Sequence, residues 1–232
     1  MSNIQTTNLP GGLSTAPIGS TLTAYAAPDP TVFHTYFNDF DVFTAGDWTG
    51  TATGSVTNSI IAGDGGWLGL ANSASNNDLD SLQLKTAGFL ITAGQLAWFK
   101  TRFKVSNATN SNVVVGLIPI DTTPIANTAG ISFSKLATST TLNCLIANAS
   151  AATTVSVGTM ADDTFVTVGW HYTGSAVNVF LNGSEVNGTT VLTNLPTVAL
   201  ALTIAVSNGT AAANTLTVDY VMATTERPST LG

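Results

Sequence analysis

The chain has 232 residues, 44% of them hydrophobic, which suffices for one large domain with a buried core. Only 8% are charged, and thirteen acidic against six basic residues leave a net charge of −7. Without clustered Lys or Arg, no nucleic-acid partner is expected. No apolar run approaches the roughly 20 residues of a membrane span, so no membrane partner is expected either. The start, Met1–Thr7, lacks the charged and apolar regions of a signal peptide, and a lone cysteine without an internal partner suits folding in a reducing cytoplasm. The single cysteine, Cys144, sits in the apolar run Leu142–Ile146 and reads as a small core residue. A polar surface with so few charges suits close packing in a large assembly, although a lectin has a similar composition.

Residues 1–35 carry Pro10, Pro17, Pro28 and Pro30 and a Gly11-Gly12 pair, without sustained periodicity. Scattered prolines block both helix and central strand, so this segment reads as an extended N-terminal arm. Ile4, Leu9, Leu13, Ile18, Leu22 and Tyr25 give it more apolar anchors than a linker needs. They suit a segment that orders on a partner surface, or a strap along its own domain.

From residue 36 to 225 the pattern is strand after strand, with a tail at 226–232. Phe37, Asp39, Asp41 and Phe43 are assigned to a first strand, and Gly63–Gly66 turns the chain into Trp67–Leu70. Leu79–Lys85 is a further strand. Between Trp98 and Val105 the residues alternate: Phe99, Thr101, Phe103 and Val105 share one face; Trp98, Lys100, Arg102 and Lys104 share the other. Val113–Ile120, Gly130–Leu136 and Thr141–Ala147 follow, the last two as a pair. Val166, Val168, Trp170 and Tyr172 mark one face of the next strand, and Gly174-Ser175 turns it into Val177, Val179 and Leu181. Asn182-Gly183 is the strongest hairpin signal, because both residues tolerate positive φ. Val198, Leu200, Leu202, Ile204 and Val206 form one face of a long strand; the alternating Leu216, Val218, Tyr220 and Met222 close the domain. About a dozen strands and almost no helical periodicity predict an all-β, two-sheet antiparallel jelly-roll sandwich.

The segment Phe165–Gly183 resembles the strand-turn-strand of concanavalin A-like (laminin G-like) domains. Phe37–Phe40 and Thr215–Val221 fit that family's first and last strands, which lie side by side. Gly66–Leu70, Leu96–Lys104 and Val115–Leu117 resemble the intervening strands of phage-encoded members. The resemblance is specific for fold and less so for function. It takes in phage head decoration (cement) proteins and tail-spike modules, and the arm joined to a bare jelly roll is more similar to the former.

The fold also hosts glucanases, which use two carboxylates flanking the scissile bond. Here the only glutamates, Glu185 and Glu226, sit in no such motif. Asp78 and Asp80 share a strand face and could serve as acid and base, against the plainer reading of a strand-end pair that faces solvent or pairs with a basic neighbour. His34 and His171, with one cysteine and no nucleophile elbow, assemble no nucleophilic site. Asp39, Asp41, Asp64, Asp162 and Asp163 lie near turns and could offer oxygen to calcium, but without calcium-loop spacing they read as turn formers. No catalytic residue, cofactor or metal is therefore expected, and the chain is expected not to be an enzyme.

One constellation stands apart. Lys100, Arg102 and Lys104 hold half of the basic residues on one strand face, beside Trp98. They are either a solvated face paired with carboxylates, or a docking stripe for an acidic partner with Trp98 as anchor. The expectation is a virion protein on the capsid exterior, made in the host cytoplasm. Its partners would be the major capsid protein and its own copies, as a homotrimer or another symmetric oligomer. The alternative is a carbohydrate-binding module of a tail fibre, with a surface glycan as partner.

Overall fold

A computed structural model describes residues 32–191 and 193–227. The arm anchors Ile4, Leu9, Leu13, Ile18, Leu22 and Tyr25 lie outside the described residues. In chain order the strands are β1 (Phe33–Asn38), β2 (Trp48–Thr53), β3 (Val56–Ile61), β4 (Trp67–Asn72) and β5 (Leu79–Leu84). Then come β6 (Ala97–Val105), β7 (Ser111–Ile118), β8 (Ala129–Lys135), β9 (Thr141–Asn148) and β10 (Ala152–Thr159). The last are β11 (Val166–Tyr172), β12 (Val177–Leu181), β13 (Ser184–Val191), β14 (Ala201–Asn208) and β15 (Thr215–Glu226). The only helical pieces among the described residues are short 3-10 turns at Ala45–Asp47 and Pro124–Ala126.

The strands form two antiparallel sheets. One runs β13-β12-β11-β6-β15-β4-β3, with β1 also on β15; the other runs β10-β9-β8-β7-β14-β5-β2. The first and last strands are neighbours as expected, with Phe37 opposite Met222. Asn182 and Gly183 turn β12 into β13 with φ of 49° and 83°, the left-handed pair that a two-residue hairpin demands.

Alternating residues of β6, β11 and β14 face one continuous core. Phe99, Phe103, Val105, Val168, Trp170, Leu202, Ile204 and Val206 are all buried in it, as is Cys144. Rings bridge the sheets, with Phe99 6.0 Å from Trp170 and 6.2 Å from Phe133. The outer face of the seven-stranded sheet is covered in part by residues 119–126. Ile125 packs on Val114, Ile118 and Ala205. Gln83 donates to the Pro119 carbonyl (3.3 Å) and to Thr203 Oγ1 (2.8 Å), and accepts from the Asp121 amide (2.9 Å).

Three details differ from the sequence expectation. The first strand is Phe33–Asn38, so the sandwich begins at Phe33, and Asp39–Phe43 lie beyond the strand. Phe40, at φ 53°, instead turns fully inward, its amide donating to Asn38 Oδ1 at 2.8 Å. Secondly, β15 carries a bulge between Val218 and Tyr220, since Val218 pairs with Phe103 and Tyr220 with Arg102. One extra residue flips the alternation. The inward set is therefore Leu216, Val218, Val221 and Ala223, while Tyr220 and Met222 point outward. Thirdly, β2, β3 and β10 were not anticipated, and β13 only as the return strand of the Asn182-Gly183 hairpin; all four are edge strands rich in Thr, Ser, Gly and Asn.

Phe103→Ala is expected to cost about 3–5 kcal/mol in chemical denaturation, as for other buried aromatics. The bulge register makes a sharper forecast. Val221→Lys places an unpaired charge in the core and should abolish cooperative folding, whereas Met222→Lys should fold, as circular dichroism melts would read. Equal melts for the two variants would contradict the register.

Candidate functional site

The candidate site is the outer face of the eight-stranded sheet, because the basic stripe lies there. Pairing sets its rows. His171, Trp98, Thr224 and Thr35 stand side by side; so do Gly169, Lys100, Met222 and Phe37; so do Thr167, Arg102 and Tyr220. The bulge presents Asp219 and Tyr220 together against Arg102.

The stripe is tied down within the chain. Arg102 Nη1 bonds Asp219 Oδ2 at 2.5 Å, and its guanidinium lies 4.0 Å from the Phe165 ring centre. Lys104 Nζ is 3.6 Å from Asp163 Oδ1 and lies over the Phe165 and Trp67 rings at 5.2 and 5.6 Å. Trp67 and Phe165 themselves meet edge to face at 5.1 Å. Two of the three cations are thus paired with carboxylates. Lys100 differs. It is buried, lies 5.6 Å from the Tyr220 ring, and has no carboxylate within ion-pair distance among the described residues. Burial holds its amine down at about 8. Trp98 is buried rather than presented as an exposed anchor; it stacks on His171 at 5.0 Å and meets Phe33 at 5.5 Å. Burial lowers the His171 imidazole to about 4, so it is neutral near pH 7.

The other residues singled out in the sequence lie apart from this face. Asp78 and Asp80 are both buried, not solvent-facing: Asp78 accepts from Ser73 Oγ, and Asp80 sits opposite the core residue Val206. Asp162 accepts from the Ala108 amide at 2.6 Å. Asp39 lies beside the Gly65 turn, its carboxyl raised by burial and then by Asp219, Asp41 and Asp64. Among the described residues no group of three or more His, Cys, Asp or Glu side chains is arranged to hold a metal. Sequence reasoning missed the partnership of Trp67, Phe165 and Asp219 with the stripe. Their one signal was the position of Trp67 and Phe165 at strand starts, and nothing foretold the bulge. A second, shallow cleft of about 630 Å³ lies between the edge strands β10 and β13, lined by Thr153, Thr154, Ser156, Thr190 and Thr193.

No protein-family model matches the chain, and no curated protein matches it in sequence. Solved structures do. A prokaryotic β-1,3-1,4-glucanase (lichenase) from a mouse hindgut metagenome superposes with a TM-score of 0.57 at 14% identity, covering 82% of this chain and 98% of that one. The carbohydrate recognition domain of Emp47p gives 0.59 at 12% identity, covering 87% and 100%. A carbohydrate esterase of the Shiga toxin-encoding bacteriophage phi24B gives 0.52 at 18% identity, covering 83% and 97%. The chain therefore folds as a concanavalin A-like, glucanase-type jelly roll. The expectation that it is not an enzyme is corrected by the same likeness, since the fold it shares is that of a lichenase and other glycoside hydrolases. At these identities the likeness shows the fold alone.

Two expected outcomes follow from the face. A double-mutant cycle on Arg102→Met and Asp219→Asn should give a coupling of about 0.5–1 kcal/mol that shrinks with added salt, because Arg102 is more than a third exposed. Lys100→Met should stabilise the fold by about 1–3 kcal/mol at pH 7 by removing a buried unpaired charge. That gain should shrink as pH rises past about 8, where the native lysine sheds its proton before the unfolded one does. Thermal melts across pH would read it, and a destabilised variant would contradict the environment described for Lys100.

Proposed function

We propose that the chain is a structural virion protein, a phage decoration (cement) protein that binds and stabilises the head shell through its N-terminal arm and contacts between copies. The observation that carries this reading is an apolar exposure where the arm joins the sandwich. Val32, Phe37 and Val42 are 43%, 58% and 70% exposed on and beside β1. In sequence they continue the spaced anchors Ile4, Leu9, Leu13, Ile18, Leu22 and Tyr25. Apolar side chains strung along one terminal stretch contribute most when a partner covers them, at roughly 25 cal/mol per Å² before ordering entropy is subtracted. Proline lowers that entropic cost by narrowing the free ensemble. The partners are then the major capsid protein and neighbouring copies in a symmetric oligomer, on the outside of the head.

A second reading is a carbohydrate-binding module of a host-attachment fibre. It is favoured by Trp67 and Phe165 set among Arg102, Lys104 and Asp219, and by the likeness to a carbohydrate recognition domain.

Sedimentation with purified head shells tests the first reading. A chain cut before Val32 keeps β1 intact; it should fold and bind shells at least about tenfold more weakly than the full chain, a loss of about 1.4 kcal/mol. Equal binding would place docking on the sandwich. A glycan array and a mixed-linkage glucan assay on the same two proteins test the second reading. Sugar binding or turnover that survives loss of the arm and is lost with Trp67→Ala would replace the decoration reading.

A further inference from the structure

We propose that Asp80 and Asn58 form a buried carboxylic acid–carboxamide pair that clips β3 to β5 across the sandwich, and that loss of the acid proton releases the β3 edge. The two residues belong to different sheets. Asp80 lies on β5 opposite Val206, a core residue, so it points between the sheets and is 1% exposed. Asn58 lies on β3, the edge strand of the other sheet, and its Nδ2 donates to Asp80 Oδ1 at 3.4 Å.

That bond leaves two oxygens. Asp80 Oδ2 and Asn58 Oδ1 are both buried and neither has a hydrogen-bond partner. An ionised carboxylate and an amide oxygen are acceptors only, so they repel when they face each other. One proton on Asp80 Oδ2 changes the pair into a ring of two hydrogen bonds, with the amide donating to Oδ1 and the acid O–H donating to Asn58 Oδ1. The same proton removes a buried charge that forms no ion pair among the described residues. Of the strands packed around Asp80, β2, β3, β4 and β14 contain no titratable side chain, and β5 contains only Asp80 itself. Asp78, two residues earlier, accepts from Ser73 Oγ and brings no cation to Asp80. Burial raises the Asp80 carboxyl to about 6, against the lowering by the Asn58 and Ser81 hydrogen bonds.

The sign follows from linkage. The folded chain keeps its proton up to about pH 6, whereas the unfolded chain loses it near 4. The clip is present at low pH, is lost as pH rises through that window, and stays lost above it. A rise of pH above 6 therefore loosens β3, whose outer side carries no further strand among the described residues.

The experiment is a carboxyl NMR titration of the full chain, with amide exchange followed on β3. Asp80 should titrate well above 4. Exchange of β3 amides, corrected for intrinsic base catalysis, should rise by about tenfold to a hundredfold between about pH 4.5 and 8. Asp80→Asn places a permanent donor opposite Asn58 Oδ1 and should keep β3 protected across that range. Titration of Asp80 at or below 4 would overturn the proposal, as would an Asp80→Asn chain whose β3 exchanges rapidly at every pH. If Asp80→Asn does not fold, the titration of the native chain decides alone.

Discussion

The pairing of β15 along both its edges is the constraint on which the rest depends. This twelve-residue strand pairs with β6 from Leu216 to Thr225 on one side. Its other side is shared by β4, at Thr215–Val218, and β1, at Val221–Glu226. The beginning, middle and end of the domain thus meet on a single strand, and the antiparallel ladder fixes which residues reach each face. The bulge at Asp219 divides it. Before the bulge Leu216 and Val218 fill the core; after it Val221 and Ala223 do, and the extra residue leaves Asp219 and Tyr220 both available to Arg102. The ion pair at the candidate site exists because one backbone step was inserted in the ladder.

The interior changes character along its length. Its centre is aliphatic and aromatic, but the end near β3, β4 and β14 is polar. Asn72 Nδ2 reaches the Asp78 carbonyl at 3.0 Å; Asn208 Nδ2 reaches the Ser73 and Ser75 carbonyls at 2.6 and 2.9 Å; Asn214 Nδ2 reaches Asn208 Oδ1 at 3.0 Å. Carboxamides suit this place because each offers donors and acceptors to loop backbone that would otherwise be buried unpaired. Such a network orders the loop between β4 and β5 and leaves few charged groups in the interior. Asp80 sits at its margin, where a carboxylate lacks the donors an amide would bring. Polar residues that are uncharged both inside and at the surface give the chain its low charge, and its cohesion rests on packing and hydrogen bonds more than on ion pairs.

Much of this fold was legible in the sequence. The alternation in β6, β11 and β14 put Phe99, Trp170 and Ile204 on the faces that pack inside, since a one-residue slip there would carry every core side chain to the other face of its sheet. Asn182-Gly183 fixed a hairpin by backbone tolerance alone. The edge strands were harder to see. Thr49, Gly50, Thr51 and Ala52 in β2 bury too little to need a period, and nothing apolar marks their faces. The site was legible only in part. Lys100, Arg102 and Lys104 do share the outer face, but their partners Asp219, Phe165 and Trp67 come from distant segments brought together by sheet order and a bulge, which no local pattern encodes. The burial of Trp98 and of Asp80 is likewise a tertiary outcome, since the same strand alternation fits an exposed rim as well as a covered one.

The two proposed roles would place this jelly roll in different parts of a virion. Electron cryomicroscopy of intact particles carrying the full chain tests the proposed role most directly. The decoration reading predicts sandwich-shaped density at symmetry-related positions over the head, with a strand of density running from β1 onto the capsid protein. Density confined to the tail or its fibres, with a bare head, would contradict it.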